Sequence, residues 1–210
     1  MTASLRYLVV LLFAGLAGGN ASDVAGEWMP APETGSTTLT GKFLVATPEL
    51  SDPNFREAVI YLMHHDSAGA MGVVINRLLA QGPMGKLLEA FGIEGDPGGN
   101  AQIRVLYGGP VESGSSLVLH PDDYHNTTTT EIGNHLAVSS SDDVLTDFAK
   151  GQGPGSSLLI LGYAGWAADQ LENEIASGAW YVVTGDQDLL FDEDIATKWK
   201  RALTLRGVQL

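Results

Sequence analysis

Cysteine is missing from all 210 residues, which excludes disulfides, thiolate metal ligands and cysteine nucleophiles. The absence is compatible with an oxidising compartment without requiring one. Charge is scarce too: only 17% of residues are Asp, Glu, Lys or Arg, and 11 basic residues face 25 acidic ones for a formal net charge of -14. Such a surface repels phosphate backbones, so direct nucleic-acid binding would need a local basic patch. The densest cluster is Lys198, Lys200, Arg201 and Arg206. It reads as the C-terminal end of a last helix, where the dipole favours cations. Three catalytic or nucleotide-binding signatures are also lacking: the Gly-x-Ser-x-Gly elbow, the phosphate loop and the dinucleotide fingerprint. Gly151, Gly153 and Gly155 alternate with other residues, but they precede a strand and their spacing is wrong for either glycine motif.

Long apolar runs are lacking as well. The stretch Tyr7 to Gly19 is the most apolar near the N-terminus, and it falls short of the roughly 20 residues a membrane span needs. With Arg6 before it and small residues Gly18 to Ser22 after it, the segment has the layout of a secretory signal over residues 1–21, cleaved before Ser22. An uncleaved anchor and a start at Met29 are the rival readings. The first start places the protein in the periplasm or outside the cell; the second leaves it cytoplasmic. Residues 22–38 are rich in Pro, Gly, Ser and Thr and read as a disordered leader. The domain is expected over 39–210.

What is present is a run of short strands and helices. Strands are expected at Phe43 to Thr47, Ala58 to His65, Ala70 to Asn76, Ile103 to Tyr107, Ser116 to His120, Ser157 to Gly162 and Trp180 to Thr184. The second and third read as a hairpin, and Ser157 to Gly162 as the central buried strand. Helices are expected after Pro83, ending at Gly92; from a Ser141 cap to Gly151; from Trp166 to Gly178; and from Asp192 to Leu203. The four-threonine stretch within 121–134 reads as a surface excursion. Together these elements imply a single mixed α/β domain.

Candidate chemistry is thin. His64, His65 and Asp66 end one strand; His120, Asp122, Asp123 and His125 follow another. A metal site there would need both strand ends to converge, and neighbouring strand residues point opposite ways. Glu49 follows a strand end and is a plausible cleft carboxylate. Arg77 could grip an acidic ligand or pair with a carboxylate. Trp166, Trp180 and Trp199 suit core positions. Glu172 and Glu174 lie on different sides of one helix. No metal and no cofactor is expected.

Several blocks resemble the AlgH/YqgE family of bacterial proteins. The likeness is carried by residues 39–76 (LTGKFLVATPELSDPNFREAVIYLMHHDSAGAMGVVIN), by YGGPV at 107–111 with the 117–121 segment, and by LGYAGW at 161–166 with Gln170-Leu171-Glu172. It spans residues 39 to about 207. The resemblance implies an α+β fold with a mixed, strongly curled, partly barrel-like sheet and helices packed outside. It implies no established catalytic residue, although some members carry a transcriptional-regulator label. This chain departs from the family pattern by its N-terminal extension, and by Ala167 and Asp169 where small flexible residues are usual.

Three function classes follow. The leading one is a non-catalytic binding or regulatory protein acting on an unknown protein or small ligand. Its candidate cleft is framed by Glu49, Gly72, Asn76, Arg77, Gly108, Gly109 and His120. The second is a hydrolase or metal-binding enzyme using a Glu49/His120 cleft, and the third is a protein-interaction module.

Overall fold

The computed structural model describes residues 38–96 and 101–206. The signal-like segment, nearly all of the leader and the last four residues lie outside that range. In chain order the elements are β1 (Phe43–Ala46), β2 (Val59–Asp66), β3 (Gly69–Val74), β4 (Leu78–Pro83), α1 (Met84–Phe91), β5 (Gln102–Tyr107), β6 (Val111–Pro121), β7 (Thr130–Gly133) and β8 (Leu136–Ser140). They continue with α2 (Ser141–Ala149), β9 (Leu158–Ala167), α3 (Gln170–Ala176), β10 (Trp180–Val183), α4 (Gln187–Phe191) and α5 (Lys198–Thr204).

The strands form one curled, half-barrel sheet in the order β10-β1-β2-β3-β9-β6-β8-β7, with β5 also on β9 and β4 outside β5. β9 is the shared strand. Its first half pairs in parallel with β5 through Leu159 to Leu161 and antiparallel with β6; its second half, Ala164 to Ala167, pairs antiparallel with β3. The hand-over falls at Gly162, whose φ of 67° bends the strand where a side chain would be strained. A Cβ there would also lie 2.6 Å from the Gly109 carbonyl oxygen.

Both faces of this sheet are covered. Phe43, Val45, Val59, Tyr61, Leu119 and Ile160 face one layer, completed by Leu189, Leu190 and Ala202 from α4 and α5. The opposite face carries two clusters. One joins Val105, Val118 and Leu159 to α1 and α2; the other joins Leu44, Ile60 and Trp166 to Leu171 of α3. Burial on both sides explains why the central strands are apolar without alternation.

Several elements differ from the expectation. β7 forms inside the expected surface excursion, and β8 and α4 stand where no element was expected. β4 arises from the sequence LLAQGP, whose Gly and Pro argue against a strand; pairing with β5 alone puts it at an edge, where Pro83 is tolerated. Trp166 belongs to β9, not to a helix. Ser141 is the first helical residue; Ser140 holds the cap position without a side-chain cap bond, while Ser141 Oγ meets Ser116 Oγ at 2.8 Å. The last helix starts at Lys198 and not at Asp192, and a separate short helix, α4, precedes it. Asp192 and Asp194 accept bonds from the backbone of Asp194 and Thr197, and this local bonding competes with helix over 192–197.

Candidate functional site

The residues singled out in the sequence are recruited mainly to hold backbone. Asn76 Oδ1 accepts from the Val59 amide at 2.8 Å while its Nδ2 donates to the Glu57 carbonyl at 2.8 Å. Arg77 reaches neither a ligand site nor a carboxylate among the described residues; its Nη2 donates to the carbonyls of Pro53 and Arg56 at 3.3 and 3.2 Å. Gly108 is tied into the same neighbourhood, accepting from Val74 and donating to Leu161. Gly72, Gly108 and Gly109 frame no cleft. A Cβ on Gly72 would sit 2.7 Å from Ile60, on Gly108 2.3 Å from the Gly162 oxygen, and on Gly109 2.2 Å from Tyr163 backbone. These glycines let strands pass closely.

Glu49 and His120 do not share a cleft. Glu49 is exposed in the turn after β1, whereas His120 is fully buried on β6, with β2, β3 and β9 between those two strands in the sheet. His120 instead anchors a polar chain. Its Nδ1 lies 2.7 Å from the Pro121 carbonyl, which can only accept, so Nδ1 carries the proton and Nε2 accepts from Ser139 Oγ at 2.9 Å. Ser139 then accepts from Thr129 Oγ1 at 2.8 Å, and Thr129 accepts from the Asn126 amide. Asn126 Nδ2 donates to Tyr124, and Tyr124 donates to Asp147 at 2.8 Å. Burial pushes His120 below the usual histidine range and Tyr124 well above the usual phenol range. The serine–imidazole contact has the geometry of an activated nucleophile. Ser139 is 1% exposed and His120 0%, so substrate has no approach to the pair.

This chain also recasts the threonine-rich excursion. Thr128 and Thr129 are half-buried and hydrogen-bonded to Asn126 and to β8, while Thr127 is exposed.

His64, His65, Trp166 and Trp180 are similarly engaged, while His125 is exposed. His65 Nδ1 accepts from the Leu39 amide at 3.1 Å, so Nε2 bears the proton that goes to Glu172 Oε1 at 2.6 Å. His64 turns to Asp66 at 3.0 Å. Glu174 Oε2 accepts from both indoles, Trp166 at 3.0 Å and Trp180 at 2.8 Å, and the two rings sit edge-to-face at 6.2 Å. Glu172 and Glu174 therefore serve different partners. Asp169, at the start of α3, adopts a φ of 63°, a conformation that a small flexible residue such as glycine takes without strain. Among the described residues no three His, Cys, Asp or Glu side chains group to hold a metal.

An open cleft lies elsewhere. It has a volume of about 410 Å³ and is roofed by the loop 151–157 between α2 and β9. Arg104 of β5 stands in it, with Phe148, Phe191, Ser156 and Glu193 around it. Arg104 donates from Nη1 to the Asp192 carbonyl at 2.7 Å and from Nη2 to the Phe191 carbonyl at 2.6 Å. Both acceptors are neutral. Desolvation pushes the guanidinium's pKa down from its ordinary value, and the nearby charges of Glu193 and Asp192 oppose that. Behind the cleft, Lys198 is fully buried and donates to the Leu190 carbonyl at 2.8 Å. Burial, then the charge of Arg104, pushes it down to about 8. Arg201 pairs with Asp192, and Arg206 lies over the Tyr181 ring at 4.6 Å.

None of the seven sequence candidates lines this cleft. Two signals pointed to it. Arg104 is a lone cation in the apolar strand IRVLY, and the Gly151–Gly155 alternation has its use as a cleft roof, although it fits neither glycine motif.

The fold and the cleft define a single-domain α+β protein with helices on both faces of one sheet. The AlgH-like family profile matches residues 43–210, and the chain belongs to that family. It is 40% identical to a UPF0301 protein of Methylococcus capsulatus over 181 residues, 86% of this chain and 98% of that one. It is 40% identical to a UPF0301 protein of Rhodospirillum rubrum over 81% of this chain and 88% of that one. Its structure resembles the solution structure of the AlgH protein from Pseudomonas aeruginosa, with a TM-score of 0.67 and 38% identity over 85% of this chain and 94% of that chain. A Corynebacterium diphtheriae protein shares the fold at 19% identity and a TM-score of 0.63, covering 84% of this chain and 91% of that one.

Proposed function

We propose that the chain is a non-catalytic binding protein that holds a small polar ligand in the cleft under the 151–157 loop. One observation carries this reading: a half-buried guanidinium, bonded among the described residues only to neutral carbonyls, faces an open cavity of ligand size. The groups with catalytic potential support it from the other side. His120 and Ser139 are sealed, and His64, His65 and Glu174 are engaged with internal partners. Nucleic acid is a poor fit, since Lys198 is buried and Arg201 and Arg206 are drawn to Asp192 and Tyr181. No described helix is long and apolar enough to cross a membrane.

The test is a thermal-shift screen of the purified chain against a broad library of water-soluble metabolites, with hits mapped by amide chemical shifts. Ligands that raise the melting temperature and perturb residues 151–157 and 104 support the reading. Hits that map only elsewhere, or a blank screen, overturn it.

A further inference from the structure

We infer that the cleft is built for a zwitterion of the α-amino-acid type, with its carboxylate at Arg104, its ammonium at Glu193 and an apolar side chain between Phe148 and Phe191. This rests on the ligand-binding reading above and narrows it to one chemical class.

Arg104 uses one N–H of Nη1 and one of Nη2 on the carbonyls of Asp192 and Phe191. A guanidinium has five such donors, so three remain, and no carboxylate lies within 4.0 Å of it among the described residues. A planar carboxylate matches that residual fork better than any neutral acceptor does. Placing a negative charge there also offsets the desolvation that disfavours the cation. The hydroxyls of Ser156 and Ser157 line the same cleft and add donors beside it.

Glu193 decides between an anion and a zwitterion. It lines the cleft, makes no ion pair within 4.0 Å among the described residues, and its charge acts on Arg104. A compact polyanion such as phosphate would gain from Arg104 and lose against Glu193. A cation would meet the reverse. A ligand carrying both charges satisfies the two residues at once, and like-charge penalties against the alternatives supply the selectivity. Phe148 and Phe191 add two apolar walls, and the cavity of about 410 Å³ lies within the range that encloses small ligands. Of the glycines roofing the cleft, only Gly155 leaves open space without a left-handed φ; Gly151 has a φ of 70°, and a Cβ on Gly153 would lie 2.4 Å from the Phe148 ring.

The experiment is an amide chemical-shift titration of the full chain with four probes: L-phenylalanine, 3-phenylpropionate, phenethylamine and inorganic phosphate. The expected result is that phenylalanine shifts residues 151–157 and Arg104 with a Kd at least tenfold below that of either single-charge analogue and of phosphate. Glu193→Gln should cut the preference over 3-phenylpropionate to threefold or less. Arg104→Lys should weaken phenylalanine binding at least fivefold; because Arg104 also holds the 191–192 carbonyls, Glu193→Gln is the decisive variant if that protein unfolds. Equal binding of 3-phenylpropionate, or tighter binding of phosphate, overturns the zwitterion while leaving a small-ligand cleft in place. No shift with any of the four probes also overturns the zwitterion; the broader reading then falls only if the metabolite screen is blank as well.

Discussion

The His120 chain and the Arg104 cleft are two polar regions of one sheet, and they are built on opposite principles. Around His120 the hydrogen-bond partners form a continuous series from Pro121 through Ser139, Thr129, Asn126 and Tyr124 to Asp147, and the imidazole is sealed. Around Arg104 two bonds go to neutral carbonyls, the charge has no contacting counter-charge, and solvent space remains. A completed buried network specifies and stiffens a structure. An incomplete one beside a cavity is a place where something else can bind. The difference teaches that the pair most suggestive of chemistry, His120 with Ser139, serves the fold, while an isolated arginine marks the candidate site.

The largest expected effect tests the closed half of that comparison. His120→Ala removes a buried ring and leaves Ser139 and the Pro121 carbonyl without their partner. Truncation of a buried side chain with loss of its hydrogen bonds costs about 3–5 kcal/mol, readable as a fall in the urea midpoint with little change in slope. A loss under about 1 kcal/mol would show that the network is dispensable. The pH dependence has a defined sign. His120 is held below its unfolded value, so below about pH 6.5 the unfolded chain takes up a proton that the folded chain resists. Stability is complete above that pH and declines as pH falls through it. Subtracting the curve of His120→Gln from that of the native chain should isolate this decline; superimposable curves would remove His120 as its source.

The next effect lies behind the cleft. Lys198 has a folded value of about 8 against 10.5 unfolded. Between those values the unfolded chain binds the proton and the folded chain does not, so stability rises with pH from about 8 toward 10.5. Arg104 and Arg201 push the group down, and Asp192 and Asp194 push it up. Tyr61, raised to about 12 by burial, acts oppositely above pH 10, where the unfolded phenol ionises first. A stability maximum near pH 10 is therefore expected from these two groups. Lys198→Met should remove the rise and stabilise the chain at pH 7 by on the order of 2 kcal/mol, after allowing for the unpaired Leu190 carbonyl. A destabilised Lys198→Met at pH 7 would mean that the buried ammonium is stabilised by its surroundings, and the cation cluster behind the cleft would have to be read as satisfied.

How much of this was legible beforehand follows from the range of the interactions. The β2–β3 hairpin and the centrality of β9 were legible because apolar runs and turn residues act locally, whereas the curled sheet was implied by the family resemblance. α1 ended at Gly92 as its sequence implies, with the left-handed φ of 69° that glycine supplies. β4 was missed because its strand state comes from pairing with β5, not from its own residues. The start of α5 was placed too early because Asp192 and Asp194 read equally well as acids favouring a helix start, and α4 was not expected. The sequence places Arg77 and His120 in chain order only. Whether a side chain meets a carbonyl, a serine or open space is set by segments many residues away, and so the cleft roofed by 151–157 could not be assembled from spacing.

The smallest expected effect is at Gly155, and it sharpens the reading of the cleft when set beside the same substitution at a close strand crossing. Gly155 roofs the cleft; a Cβ there meets nothing within 4 Å and no left-handed φ is required. Gly155→Ala should leave stability unchanged or raise it by up to about 0.5 kcal/mol, because alanine reduces the freedom of the unfolded chain. Gly109 lies where the β5–β6 connection passes β9, with a φ of 156° and a Cβ position 2.2 Å from Tyr163 backbone. The same change there forces backbone apart and should cost more than about 3 kcal/mol. Thermal denaturation of the two variants side by side measures the contrast. If Gly155→Ala were as damaging as Gly109→Ala, the loop would be packed at Gly155 as it is at Gly153, where a Cβ would lie 2.4 Å from the Phe148 ring, and the cleft would not be open to a ligand at that point.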